Sequence, residues 1–371
     1  MGPALSLPRL VFGEGALSAL PAELALLGIE RPLLLSDRGL ERAGSVAAVQ
    51  SALPSIAAIY LDVPENPTAA GVDGALRAYA LADCDGIVAL GGGSVLDTAK
   101  IVAGVAGTGL TDAAALIGKP EILRAVAPLI AIPTTVGTGS ESSPVAAMHL
   151  VAGGPGIGTR HALLVPRVAI CDSDLARTLP RRLIAATGID ALSHCVEGFL
   201  ADPANPVADA LALDGVARVF SSIHAALEPS GDAARASLMA AAFAGGAAIQ
   251  KGLGPAHAIA VVCGDQDAHH GTLIGITLPH TVRLMAPHLP DKMARLASAL
   301  GLQDGADVAD ALAELMASLG LPSTLTEVGY HIASRDALVD AFSRSHFNRT
   351  TPYVPTTAEY RAVLDEIAPA D

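Results

Sequence analysis

Asp190 and His194 stand four residues apart in Gly188-Ile-Asp190-Ala-Leu-Ser-His194-Cys-Val-Glu197-Gly, a stretch with helical spacing. Residues i and i+4 share one helix face, so a carboxylate and an imidazole would project side by side. That pair of donors suits a divalent metal ion. Further on, Gly254-Pro-Ala-His257 precedes an apolar run, and Asp265-Gln-Asp267-Ala-His269-His270-Gly271 follows it. One Asp and three His would form a ligand set with a position open for an oxygen ligand. Each of these histidines taken alone is more often a helix cap or a satisfied core residue. Their crowding between 257 and 280 favours a site without selecting its members. His161, His280 and His288 have no partner in the pattern and read as structural.

A second chemistry is written in glycines. Asp85-Gly-Ile-Val-Ala-Leu-Gly91-Gly92-Gly93-Ser94-Val-Leu-Asp97-Thr-Ala-Lys100 reads as strand, tight turn, then helix. The free N–H groups and positive dipole end of such a helix form a phosphate site. The spacing is neither GxGxxG, since position 96 is Leu, nor GxxxxGK. A plain βα turn closed by a Ser94–Asp97 capping box explains the same residues. Asp97 serves either reading. Ile132-Pro-Thr134-Thr135-Val-Gly-Thr138-Gly-Ser-Glu141 follows another apolar run and puts a hydroxyl-rich loop at a strand's C-terminal end. Ligands of open α/β sheets bind there. Asp37 ends the run Leu33–Ser36. It could accept a ribose 2′-OH and repel a 2′-phosphate, favouring NAD over NADP, or it could cap a helix.

The elements that must position these groups follow from composition and periodicity. The chain has 371 residues, 51% apolar and 16% charged, with a formal charge of −14. Such acidity argues against a nucleic-acid binder, and the apolar content excludes a disordered chain. Arg31–Ser36, Ala57–Leu61, Asp85–Leu90 and Pro128–Ile132 read as strands. Leu40–Leu53 and Ala69–Leu81 read as helices between them, which implies a parallel sheet covered on both faces. Beyond about Pro180 the pattern is helical: Arg182–Leu200, Val207–Leu227, Ala233–Gln250, Pro290–Leu300 and most of 308–365. The expected domains are 1–176 and 177–371. Cys84, Cys171, Cys195 and Cys263 are scattered, without a CxxC pair, and read as a cytoplasmic pattern. No run resembles a membrane helix, and no secretory signal is expected. Met1-Gly2 with Ser6 matches a loose myristoylation pattern that Pro3 argues against.

GGGSVLDTAK, IPTTVGTGSE and TGIDALSHCVEGF together resemble the iron-containing (group III) alcohol dehydrogenases. Phe12-Gly-Glu-Gly-Ala, Glu65-Asn66-Pro67-Thr68, Asp172 to Pro180 and Leu278-Pro279 extend the likeness over residues 10–285. The resemblance implies a dehydroquinate synthase-like fold: an α/β N-terminal dinucleotide-binding domain plus an all-α C-terminal domain. It implies Gly92, Gly93 and Ser94 at the pyrophosphate, and Asp97, Thr134, Thr135 and Thr138 along the path to nicotinamide. It implies Asp190, His194, His257 and His270 as ligands of Fe²⁺, as in most members, or Zn²⁺, as in some. The reaction implied is metal-assisted hydride transfer between NAD(H) and a small alcohol or aldehyde, in a homodimer.

Three features depart from the family pattern. A second His usual in the family is Val261 here, the stretch from His257 to His270 is one residue short, and Asp265 and Asp267 replace apolar residues. His269 is then a candidate for the missing base, or for the ligand in place of His270. His270 is preferred because it precedes Gly271. Competing readings are a metal-free maleylacetate reductase, a dehydroquinate synthase-like cyclase, and a nucleotide-binding relative with altered chemistry. Arg181, Arg182, Lys251 and Arg349 are the cations that could meet an acidic substrate.

Overall fold

The central apolar runs form strands because both of their faces are shielded from water. In the computed structural model, which describes residues 4–369 apart from positions 118, 152, 153, 155 and 267, eight strands are present. They are β1 (Arg9–Phe12), β2 (Pro32–Leu35), β3 (Ala58–Tyr60), β4 (Gly86–Gly91), β5 (Leu129–Pro133), β6 (Val145–His149), β7 (Gly156–Arg160) and β8 (Val168–Cys171). Six of them build one parallel sheet in the order β1-β8-β5-β4-β2-β3. Successive side chains go to opposite faces. Leu33, Leu35, Ile87 and Ala89 pack into one core, and Leu34, Val88, Leu90 and Ile130 into the other. Covered on both faces, β2, β4, β5 and β8 are buried along their whole length.

The four strands expected from sequence lie at β2 to β5. β1 and β8 are additions, paired in parallel with Arg9 opposite Val168. β6 and β7 form a separate antiparallel pair. The expected helix Leu40–Leu53 is two helices, Arg38–Arg42 and Ser45–Ala52, because Gly44 between them takes φ 85°. The Ala69–Leu81 helix forms as expected, with Thr68 as its N-cap. Asp172, just past β8, accepts hydrogen bonds from Gly15 N and Leu17 N, which pins the Phe12-Gly-Glu-Gly-Ala turn to the sheet.

The chain divides into two compact units, Ser6–Leu179 and the residues from Pro180 onward. The second is helical, with no strand among its described residues. Its central helix, Arg181–Leu200, is buried at every residue from Ile184 to Leu200. In length and apolar composition this helix could cross a membrane, so the expectation that no run has that character is corrected. Its apolar content is that of a core helix: 94% of the candidate span is buried within the fold. Around it lie the helices Pro206–Ala226, Asp232–Ala248, Pro255–Val262 and His270–Met285. The Pro290–Leu300 helix has the bounds read from sequence. The remaining helices are Val308–Ser318, Arg335–Arg344 and Thr357–Ile367, separated near Gly320 and before Thr357 as expected. The Met1-Gly2-Pro3 pattern and Asp267 lie outside the described residues.

Candidate metal centre and dinucleotide loops

The Arg181–Leu200 helix places Asp190, His194 and Glu197 on one buried stripe, at i, i+4 and i+7. His257 arrives on the Pro255–Val262 helix, and His270 opens the His270–Met285 helix. One ligand atom each from Asp190, His194 and His257 lie within 4.8 Å of one another. His194 Nε2 and His270 Nε2 are each 3.7 Å from Asp190 Oδ1. The rings of His194 and His257 stack at 5.0 Å, and His270 tilts against His257 at 5.4 Å. His270 is the open side of the group, its side chain 42% exposed.

Electrostatics match a cation in this place. Burial alone would raise the Asp190 carboxyl, but His194, His270, His257 and His269 around it outweigh burial and hold it below the usual carboxylate range. Burial, then His194 and His270, push His257 well below the usual imidazole value, so it is neutral with a lone pair to give. Asp190 Oδ1, His194 Nδ1 and His257 Nε2 are buried without a hydrogen-bond partner. Buried polar atoms are rarely left unpaired, and a shared metal ion accounts for an oxygen and a nitrogen left bare at one centre. The residues present therefore fit a divalent cation.

Glu197 joins the site although the sequence pattern alone does not single it out. Its Oε2 lies 2.5 Å from His257 Nδ1, both side chains being buried. It also accepts from Ala256 N at 2.8 Å and His257 N at 3.3 Å. Burial lifts this carboxyl to about 7 against the pull of those N–H donors. The signal was available, since position 197 falls on the stripe of 190 and 194. Phe347, whose ring lies 5.8 Å from that of His257, left no signal in the sequence. Val261, one turn beyond His257, is exposed. Asp265 serves locally, as a hydrogen-bond partner of Tyr330. His269 caps no helix N–H with its side chain, and its buried Nδ1 is unpaired. The three histidines without a partner in the sequence pattern find local ones. His161 accepts from Leu163 N, His280 pairs with Glu366, and His288 stacks on Tyr353.

In the Ser6–Leu179 unit, β4 runs through Gly92 into the helix Gly93–Thr108, and no side chain caps that helix. Its first N–H groups are thus left for a ligand. Gly92 and Gly93 lie so close to the Ile132–Glu141 loop that a Cβ would come 3.0 Å from Thr135 Cγ2 and 2.8 Å from Thr138 Cγ2. Thr134 N donates to Gly91 O at 3.1 Å, joining the two loops at their base. The Ser94–Asp97 capping box does not form. Ser94 Oγ donates to Glu65 O instead. Asp97 spends one oxygen on Ser140 Oγ at 2.6 Å and the other on Ala147 N at 2.9 Å. Lys100 is fully buried and donates to Ser143 O and Val145 O, so the helix grips the segment leading into β6. Burial lowers the Lys100 ammonium to about 8 against the attraction of Asp97 and Glu141. Asp37 acts as a helix N-cap, its Oδ1 accepting from Leu40 N at 2.9 Å.

Family models agree with this geometry. Residues 8–173 match the model described as iron-containing alcohol dehydrogenase, and residues 184–368 match that of the Fe-containing alcohol dehydrogenase family, C-terminal. The chain belongs to the iron-containing alcohol dehydrogenase family. As a member it is an NAD-linked oxidoreductase of small alcohols. It is 39% identical to a 4-hydroxybutyrate dehydrogenase of Cupriavidus necator over 95% of this chain and 96% of that one. A crystal structure of 1,3-propanediol oxidoreductase superposes with a TM-score of 0.94 at 27% identity, covering 99% of this chain and 100% of the other. A sulfoacetaldehyde reductase from Bifidobacterium kashiwanohense, solved in complex with NAD⁺, shares the fold with a TM-score of 0.92 at 24% identity over 100% of both chains.

Proposed function

We propose that this chain is a divalent-metal-dependent, NAD(H)-linked dehydrogenase of small ω-hydroxy acids, with 4-hydroxybutyrate as the type substrate. The observation that carries the metal requirement is the convergence of Asp190, His194 and His257, with Asp190 Oδ1 and His257 Nε2 buried and unpaired. These three and His270 would hold the ion, Fe²⁺ by family and Zn²⁺ as the second choice. When bound, the ion would supply Lewis acidity toward an alcohol oxygen, and NAD would supply the hydride acceptor.

The chain's own residues do the rest. Residues 1–176 would bind the dinucleotide, with the uncapped helix start at Gly92, Gly93 and Ser94 receiving the pyrophosphate. Thr135 and Thr138 would bound that pocket, with Thr134, Asp97 and Asp37 shaping it from within the fold. Residues 177–371 would bind metal and substrate. Asp190 stays ionised, and His257 stays neutral. We assign proton transfer to His269 through its unpaired Nδ1, since Val261 offers no base. The unpaired atoms at the centre weigh against a metal-free reductase of the maleylacetate type.

The substrate class rests on the relative's name and on Arg349. Of the cations in question, Lys251 is taken by Asp209 and Phe199 O, and Arg181 by Leu227 O and Glu228. Arg182 lies in the first turn of the central helix, about 12 Å along its axis from Asp190. Arg349 is exposed and forms no ion pair among the described residues. It sits in the His346–Thr350 turn, which also holds Phe347 against His257. Thr350 Oγ1 fixes that turn by donating to Leu253 O at 2.9 Å.

The test is metal analysis of the purified protein together with NADH formation from 4-hydroxybutyrate. A protein without bound metal and without turnover would refute the reading. Arg349→Met is expected to lower kcat/KM for 4-hydroxybutyrate about 10–100-fold, the worth of a charge-assisted pair. Turnover of neutral 1,4-butanediol should stay nearly constant. Equal losses on both substrates would remove Arg349 from carboxylate recognition.

We also read the protein as a cytoplasmic homodimer. All four cysteines are buried and unpaired. The edge strand β1 leaves Leu10 and Phe12 exposed beside unpaired backbone groups. Sedimentation at about twice the 37.2 kDa chain mass would support the dimer.

A further inference from the structure

The Pro255–Val262 helix has no side-chain cap of its own, and Pro255 at its start has no N–H. Its first free donors, Ala256 N and His257 N, are satisfied from a different helix by Glu197. Gly254 N adds a further donor to the same carboxylate. Every backbone group that meets Glu197 here is a donor, and the ionised carboxylate can only accept. The remaining partner is His257 Nδ1, 2.5 Å from Oε2. An acceptor there requires the ring to carry its proton on Nδ1, which leaves Nε2 bare. Nε2 is the His257 atom found buried and unpaired.

We propose that Glu197 is a positioning residue that locks His257 in the Nδ1–H tautomer while capping its helix, so that Nε2 is held as a metal-facing lone pair. The cap and the lock share one carboxylate, so ring orientation and helix position are set together. A carboxylate that orients a ligand imidazole from behind contributes about 10–100-fold in metal affinity.

Glu197→Gln separates this role from simple packing, because the amide has the same shape but one donor end. With its oxygen on Ala256 N–H, its NH₂ meets His257 Nδ1, which must then accept, and the ring proton moves to Nε2. With its oxygen on His257, its NH₂ opposes a backbone donor and the cap is lost. The experiment is ¹⁵N NMR of histidine-labelled protein freed of metal, wild type beside Glu197→Gln, at about pH 8.5. A chelator-competition titration with Zn²⁺ accompanies it.

Wild-type His257 in the Nδ1–H form, a shift to Nε2–H in the variant, and Zn²⁺ affinity lowered about 10–100-fold would support the proposal. Wild-type His257 already in the Nε2–H form would overturn it, whether or not the variant folds. A variant with lower thermal stability but unchanged tautomer and affinity would reduce Glu197 to a helix cap and also overturn it. The affinity arm rests on the proposed function, whereas the tautomer arm does not. A wild-type protein that binds no Zn²⁺ would therefore count against that function and leave the tautomer to decide this proposal.

Discussion

An Asp190→Ala protein is expected to purify without stoichiometric divalent metal and to turn over 4-hydroxybutyrate at least about 10³-fold more slowly than wild type. Asp190 is the only carboxylate in the proposed ligand set, and both His194 and His270 lie 3.7 Å from its Oδ1. Removing it leaves only imidazoles in the ligand set, with no anionic ligand to balance a dication. The Lewis acidity forgone is worth several kcal/mol, and each 1.36 kcal/mol is tenfold in rate. Metal quantitation and single-turnover NADH formation would check both halves. An alanine variant devoid of metal yet fully active would end the metal-dependent reading. Dinucleotide affinity should be unchanged, because Gly92, Gly93 and the threonine loop belong to the other unit.

Gly271→Ala should have the second-largest effect, and it should strike stability and activity together. A Cβ at this position would lie 2.2 Å from Ala186 O and 2.8 Å from Ala186 C. These are backbone atoms of the central helix and cannot rotate away. Relief requires the start of the His270–Met285 helix to retreat by about 1 Å, carrying His270 with it. Overpacking of this kind costs about 1–3 kcal/mol, and a 1 Å misplacement at a reacting site costs about 10²-fold in rate. Denaturant unfolding and kcat/KM should therefore both fall. Wild-type metal affinity and kinetics in Gly271→Ala would show that this contact does not place His270.

Local pattern and long-range return explain what could be read in advance. β2 to β5 and the helices Ala69–Leu81 and Pro290–Leu300 are legible because their signal lies within a few residues: short apolar runs in the strands, apolar periodicity in the helices. β1 and β8 were not named, because Arg9–Phe12 becomes a strand only by pairing with residues about 160 positions away. The break at Gly44 was visible as a glycine, yet nothing local required its positive φ. At the site, the Asp190–His194 juxtaposition followed from i,i+4 geometry, and Glu197 followed from the same stripe once that stripe was drawn. Phe347 could not be found so, since its approach to His257 depends on the chain returning after 90 residues. The Ser94–Asp97 capping box failed for a comparable reason: Ser140 and Ala147, brought in by tertiary structure, outbid the local bond.

The burial of the Arg181–Leu200 helix has a bearing on how such an enzyme can diversify. Its three site residues sit where any change in volume disturbs neighbouring helices, so drift there is closed to small steps. In the His346–Thr350 turn Arg349 is exposed, whereas its neighbour Asn348 is buried, donating to Phe342 O and accepting from Tyr360 OH, so position 349 can be exchanged without breaking those bonds. New substrate preferences should thus be sought by varying position 349, with the inner helix left as inherited.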